Sequence, residues 1–261
     1  MPVNHCHDRY EIYYLTEGER YYFIKDRTYH VKKGDLVLIN VHDLHKTSDA
    51  GVLSHERILI EFREDFITNF IKDLSDVDLL MSFKLNNSVL RLNLSEQNFV
   101  EGILSKMISE SQHSTNGSAF YLQILLSELL LFTSRFSEPL IASEFEYITP
   151  LHKKISEIVS FINMNYMTDL SLDHISKQFF ISPFYLSRSF KDVTGFSFTE
   201  YINSVRVKEA QKLLKGAQFN ITQITEKVGY ESITHFGRVF KALTGVSPLQ
   251  YRKQNQIIHS S

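Results

Sequence analysis

Three histidines and a glutamate near the start of the chain have the types and spacing of a ligand set. The stretch "HCHDRYEIYYLTEG" follows H-x-H-x3-E-x6-G, so His5, His7 and Glu11 share parity along an extended strand and can point to one side. In "GDLVLINVHDLH", His45 stands eleven residues after Gly34, where a returning strand can bring it beside them. Three imidazoles and one carboxylate suit Fe, Mn, Ni or Zn. The same groups can also hydrogen-bond a small organic effector, or pack in a core. Rings are plentiful nearby: Tyr10, Tyr13, Tyr14, Tyr21 and Phe23. About half of these should face an interior, where rings stack well on sugar faces, although barrels are also filled by such side chains.

A second chemistry lies in the other half, which repeats itself. Leu172, Ile175 and Phe179 match Ile221, Ile224 and Val228 at a shift of 49. Beyond the next turn, Leu186, Arg188, Phe190, Lys191, Thr194, Gly195 and Tyr201 match Phe236, Arg238, Phe240, Lys241, Thr244, Gly245 and Tyr251 at a shift of 50. Each unit reads as a short helix, a tight turn and a second helix. Ser182 can cap that second helix, Pro183 suits its first position, and Gly195 and Gly245 suit a left-handed stop. The capping boxes "SFTE" and "SPLQ" then begin a further helix.

On a wheel at about 100° per residue, Leu186, Ser189, Phe190 and Val193 share a face, as do Phe236, Val239, Phe240 and Leu243. The opposite face carries Phe184, Ser187, Arg188 and Lys191 in one copy, and Thr234, Gly237, Arg238 and Lys241 in the other. An exposed helix with arginine and lysine at matching angles fits a major groove, where Arg reads guanine and Lys pairs with phosphate. A solvated polar face is the ordinary alternative, and repetition in register weighs against it.

Several elements must position these groups. "YEIYYL", "RYYFI", "DLVLIN" and "RILIEF" read as strands with turns at Glu17-Gly18 and Lys33-Gly34. From Ser95, "NFVEGILSKMISE" and "AFYLQILLSELLLFTSRF" carry helical spacing, and the second is apolar enough to pack on sheet and partner helix together. Residues 137–151 read as a linker between a front domain, 1–136, and a helical back domain, 152–261. The two parts differ in charge: residues 1–149 hold 14 Lys and Arg against 22 Asp and Glu, residues 150–261 hold 14 against 8. A polyanion is a plausible partner of the basic part. Cys6, the single cysteine, excludes an internal disulfide and a four-cysteine zinc site. "ILLSELLLF" is too short and polar to span a bilayer, and no leader is evident, so a cytoplasmic protein without membrane partners is expected.

The region from Ile155 to Tyr251 resembles the paired helix-turn-helix domain of the AraC/XylS transcription regulators. "YLSRSFKDVTGFSFTEYI", "RVKEAQKLL" and "ITQITEKVGYESITHFGRVFKALTGVSPLQYR" carry the resemblance. It implies two recognition helices in successive major grooves of double-stranded DNA. By matching positions, base or groove contact falls to Phe184, Ser187, Arg188, Thr234, His235 and Arg238, and phosphate contact to Lys191 and Lys241. Arg206, on the linking helix, is left between DNA contact and an internal ion pair. Ser176 and Thr225 replace a small alanine usual in the family, which should loosen each first helix.

The front part resembles the cupin barrel, with His5, His7, Glu11 and His45 at its metal-ligand positions. Asn40 and His42 depart from the family's proline and glycine, and Asp49 from its asparagine. The fold expected is therefore two-domain α+β: a cupin-like β-barrel with a helical pair, then an all-α double helix-turn-helix domain. The function implied is a DNA-binding activator, homodimeric, working with RNA polymerase. It would answer to a small effector, with a sugar the candidate class, held by His5, His7, Glu11, Tyr13 and His45 without a cofactor. The alternative is a metal-dependent cupin enzyme or metal sensor joined to a DNA-binding domain, using His5, His7, Glu11 and His45.

Overall fold

A computed structural model of the chain describes residues 9–51, 54–68, 77–85, 87–113, 115–137, 147–216 and 218–258. It divides into two compact units, one over His7–Ile24 and Tyr29–Ile148, the other containing Thr149–Ser261.

The strands of the front unit are β1 (Tyr10–Glu17), β2 (Glu19–Ile24), β3 (Arg27–Lys32), β4 (Asp35–Ile39), β5 (His45–Asp49), β6 (Glu56–Phe62) and β7 (Val89–Arg91). They form two sheets, ordered β6-β1-β4-β7 and β3-β2-β5. The four strands expected from sequence are β1, β2, β4 and β6. The other three were missed because "RTYHVK" and "HKTSD" are too polar to read as strands and "VLR" is too short.

Strand β1 explains the layering. Tyr10, Ile12 and Tyr14 enter one core cluster, while Tyr13 and Leu15 enter another with Tyr22, Ile24 and Val31 of the second sheet. A strand buried on both faces reads as a continuous apolar run, hence "YEIYYL". Its antiparallel register sets Tyr13 opposite Val37 of β4 and Leu59 of β6.

Helices α1 (Glu64–Thr68), α2 (Met81–Lys84), α3 (Leu94–Gln112) and α4 (Ser118–Ser137) complete this unit. Asn93 and Glu96 form a capping box that starts α3. By length and composition α4 could cross a membrane over Ser118–Phe136. Here Leu125, Leu126, Leu129 and Leu130 instead fill the core beneath β1 and beside α3, the double packing that its apolar spread predicts.

The back unit is helical: α5 (Pro150–Asn165), α6 (Leu172–Gln178), α7 (Pro183–Thr194), α8 (Phe198–Lys215), α9 (Ile221–Lys227), α10 (Ile233–Thr244) and α11 (Pro248–Ile258). Thr149 caps α5 and Pro150 opens it, so the helix begins inside the stretch read as linker, of which residues 138–146 lie outside the described residues.

The repeat is physical as well as textual. In the first copy Phe180 N–H donates to the Lys177 carbonyl and Ile181 N–H to that of Ser176. In the second, Gly229 N–H donates to Glu226 and Tyr230 N–H to Thr225. The turns start alike, and the extra residue, Glu231, comes just before the Ser232 cap. The ring of Phe190 meets Tyr201 edge-on at 5.5 Å, and Phe240 meets Tyr251 at 5.6 Å. Gly195 and Gly245 end the second helices with φ of 76° and 80°. Ser176 and Thr225 are both buried, with hydroxyls donating to the Asp173 and Ile221 carbonyls of their own helices at 3.0 and 2.8 Å.

Candidate functional site

The second helices of the repeats, α7 and α10, rest on aromatic anchors. Leu186 and Phe190 are fully buried in α7, Phe236 and Phe240 in α10, and burying each such side chain contributes about 1.5–3 kcal/mol. Ser189 and Val193 are buried too, as the wheel predicts. The second copy departs from it: Val239 is half-buried and Leu243 is exposed. Each helix start is capped, Ser182 Oγ accepting from Tyr185 N–H and Ser232 Oγ from His235 N–H.

All eight residues expected to meet DNA lie in solvent: Phe184, Ser187, Arg188, Lys191, Thr234, His235, Arg238 and Lys241. Phe184 is 78% exposed, and His235 is oriented by its ring's edge-on contact with Tyr230 at 5.5 Å. The copies differ in a way the wheel did not weigh. Arg188 Nε lies 3.7 Å from Asp192 Oδ2 one turn on, whereas the matching position beside Arg238 is Ala242. The basic face of α7 is therefore partly neutralised and that of α10 is not.

Among the described residues Arg206 on α8 binds internal carbonyls and makes no close ion pair. Its Nε donates to the Tyr166 carbonyl at 2.9 Å and its Nη2 to the Thr168 carbonyl at 2.8 Å. The guanidinium lies 5.3 Å from the ring centre of Tyr230. It thus satisfies carbonyls at the end of α5, where the helix dipole favours a cation, and ties that end to the second repeat.

In the front unit, Glu11 and His45 come together as expected. Glu11 Oε2 lies 3.6 Å from His45 Nε2, and both side chains are buried. Tyr22 Oη donates to Glu11 Oε1 at 2.8 Å, and His45 Nδ1 donates to the Asp43 carbonyl at 2.7 Å. Tyr13 meets Tyr22 edge-on at 5.3 Å in the same interior. His5 and His7 lie outside the described residues, and among the described residues no three His, Cys, Asp or Glu gather as for a metal. Of the five rings expected around an interior, only Tyr13 joins the inter-sheet cluster; Tyr10 and Tyr14 turn to the helices. Tyr22 was missed. The β1–β2 turn sets its parity, and the sequence does not show where that turn reverses the faces. His42, which replaces the expected glycine, keeps the left-handed backbone with φ of 61°.

A separate concavity of about 640 Å³ lies between β6 and the helices, with Ile60, Phe62, Phe66, Met107, Leu122 and Leu126 in its wall. Its rim arginines are ion-paired, Arg9 with Glu61 at 3.3 Å and Arg63 with Asp65 at 3.6 Å.

Two helix-turn-helix units with matching exposed cations, joined by one helix, define a DNA-binding protein of the double helix-turn-helix class. Known proteins agree. Residues 175–254 match a helix-turn-helix domain model and residues 3–130 an AraC-like ligand binding domain. The chain is 28% identical over 268 residues to the uncharacterized HTH-type transcriptional regulator YfiF of Bacillus subtilis, covering 95% of this chain and 78% of that protein. It is 21% identical to the HTH-type transcriptional activator RhaR of an Enterobacter species, covering 97% of this chain and 88% of that protein. It spans only 31% of the length of the Staphylococcus aureus regulators it matches, for example SAR0107. Among solved structures, the C-terminal domain of AraT from Geobacillus stearothermophilus is 33% identical, covering 41% of this chain and 88% of that one, with a TM-score of 0.39. The chain belongs to the AraC-type transcriptional regulators, with a ligand-binding domain in front of the DNA-binding one.

Proposed function

We propose that α7 and α10 enter successive major grooves of double-stranded DNA. Phe184, Ser187, Arg188, Thr234, His235 and Arg238 would contact bases or groove edges, and Lys191 and Lys241 phosphates. One observation carries the reading: Arg188 and Lys191 recur as Arg238 and Lys241, exposed on the second helix of each repeat. The front domain, 1–136, binds a small organic effector through His5, His7, Glu11, Tyr13 and His45, and residues 137–151 link it to the DNA-binding domain, 152–261. The buried Glu11–Tyr22–His45 network supports a polar interior able to bond a ligand. Exposed apolar side chains on α3 and α4, namely Phe99, Ile108, Phe120, Tyr121 and Ile124, support a homodimer.

The name of the activator RhaR supports an activating role, for which RNA polymerase would be the partner, and the regulator role supports a cytoplasmic, non-enzymatic protein. Effector must bind one arrangement of the protein better than another, since equal affinity shifts nothing. The test is selection of binding sites from random duplexes, then anisotropy titrations with and without effector. Arg238→Ala should lose about 1–3 kcal/mol and relax preference at one base pair, whereas Lys241→Ala should weaken all sites and lower the salt slope by about 1. Unchanged selectivity in Arg238→Ala would remove that residue from the base-reading set.

A further inference from the structure

The inner face of the front unit carries two buried donors without acceptors among the described residues, with the exposed Arg57 beside them. Along β1, Glu11, Tyr13 and Leu15 share a face, and the register brings Leu59 and Arg57 of β6 beside Tyr13 and Leu15. On the facing sheet, Arg20 and Tyr22 share parity on β2, with Arg20 opposite Asp49 of β5. Tyr13 is 2% exposed, and its hydroxyl has no hydrogen-bond partner among the described residues. Arg20 Nε is buried and likewise unpartnered among them, while its Nη1 lies 3.6 Å from Asp49 Oδ1. The Arg57 guanidinium lies 5.8 Å from the Tyr13 ring centre, and its Nη1 is 3.1 Å from His55 Nε2, a nitrogen that carries no negative charge.

These groups feel one another. Burial raises the Tyr13 phenol above its ordinary value, and the charges of Arg57 and Arg20 oppose that rise. Burial, Arg20 and Arg57 together lower His55. The acids facing the patch are Glu11, whose oxygens turn to Tyr22 and His45, and Asp49, at the edge with Arg20.

A buried hydroxyl without an acceptor is rare in native proteins and marks a place for water or ligand. Water would satisfy the phenol, but it would bring no negative charge to the buried Arg20 Nε, whose one carboxylate lies at the edge, or to Arg57, which stands exposed at the rim. A ligand carboxylate would do both, because its oxygens accept several donors and suit an arginine fork. We propose that the Tyr13 hydroxyl, Arg20 and Arg57 form a carboxylate clamp, and that the effector is an acidic small molecule, a sugar acid, instead of a neutral sugar. The proposal rests on the reading of the front domain as effector-binding.

The test is thermal unfolding of the full chain with glucuronate and galacturonate, each beside its neutral parent hexose. Near saturation a specific ligand raises the midpoint by several degrees. The acids should do so and the neutral sugars should not. Arg57→Met should abolish the rise. Tyr13→Phe should weaken it at least tenfold in ligand concentration while leaving the ligand-free midpoint equal or higher, because it deletes an unsatisfied group. That combination separates a binding role from mere misfolding. A rise with neutral sugars that persists in both variants would overturn the clamp and leave the effector reading standing. No response to any acid or neutral sugar would overturn the clamp and count against the effector reading as well.

Discussion

Phe180 and Gly229 occupy the same place in the two repeats, and both hold a left-handed backbone, with φ of 55° and 84°. Only the second must be glycine. A Cβ on Gly229 would stand 2.8 Å from the Tyr166 carbonyl oxygen, whereas Phe180 is 94% exposed. Relieving the left-handed strain, Phe180→Gly should stabilise the protein by about 1 kcal/mol. Gly229→Ala should destabilise it by about 1–3 kcal/mol, adding a clash to the strain. Urea midpoints at constant slope will decide; a loss in Phe180→Gly would show that the exposed ring makes a stabilising contact.

Arg206 predicts a different pattern from the groove residues. Removing its two hydrogen bonds to carbonyls should cost about 1.5–3 kcal/mol of stability in Arg206→Ala. Lysine should restore little, since it lacks the planar fork that reaches both oxygens and stacks on Tyr230. Because the residue positions the repeats, DNA affinity should fall without any change in base preference. A relaxed consensus in site selection would instead make Arg206 a base reader.

The Asp192–Ala242 difference should be visible in DNA binding. Asp192→Ala frees Arg188 and removes a negative charge near the backbone, so it should strengthen binding by about 1 kcal/mol at low salt, less as salt rises. Ala242→Asp should weaken binding comparably by giving Arg238 the same partner. Anisotropy titrations across a salt series test both, and equal affinities would place α7 away from the phosphates.

Two buried phenols set an alkaline limit. Burial, with Glu64 beside it, pushes Tyr10 up to about 12, and burial pushes Tyr230 up to about 12, from an ordinary value of 10.0. Since the unfolded chain releases these protons first, their stabilisation is complete below pH 10 and is lost as pH rises toward 12. Each should account for on the order of 2–3 kcal/mol. Unfolding free energies measured across that range should fall, and Tyr230→Phe should flatten the decline for the back unit. A profile identical to wild type would show that Tyr230 ionises while folded.

The back unit was largely legible because its determinants are local. Caps at Ser182 and Ser197, stops at Gly195 and Gly245, and three-four spacing of Leu186, Phe190, Phe236 and Phe240 act within one or two turns of chain. They appear twice, so each copy checks the other. Strand β1 was legible for the same reason, as six successive residues written for burial. The pairing of Glu11 with His45 was also readable, from parity and one returning strand.

What only the tertiary structure decided depends on partners distant in sequence. Neither β5 nor β3 is apolar enough to announce itself; pairing with β2 defines them. Tyr22 meets Glu11 through a turn whose geometry reverses the faces, and Arg206 meets Tyr166 and Tyr230 across three helices. Tyr13 looked like one ring among five, and packing alone buried its hydroxyl beside Arg20 and Arg57. Local rules of capping and periodicity act over a few residues, whereas burial and electrostatics act over space, and the fold sets which residues share that space.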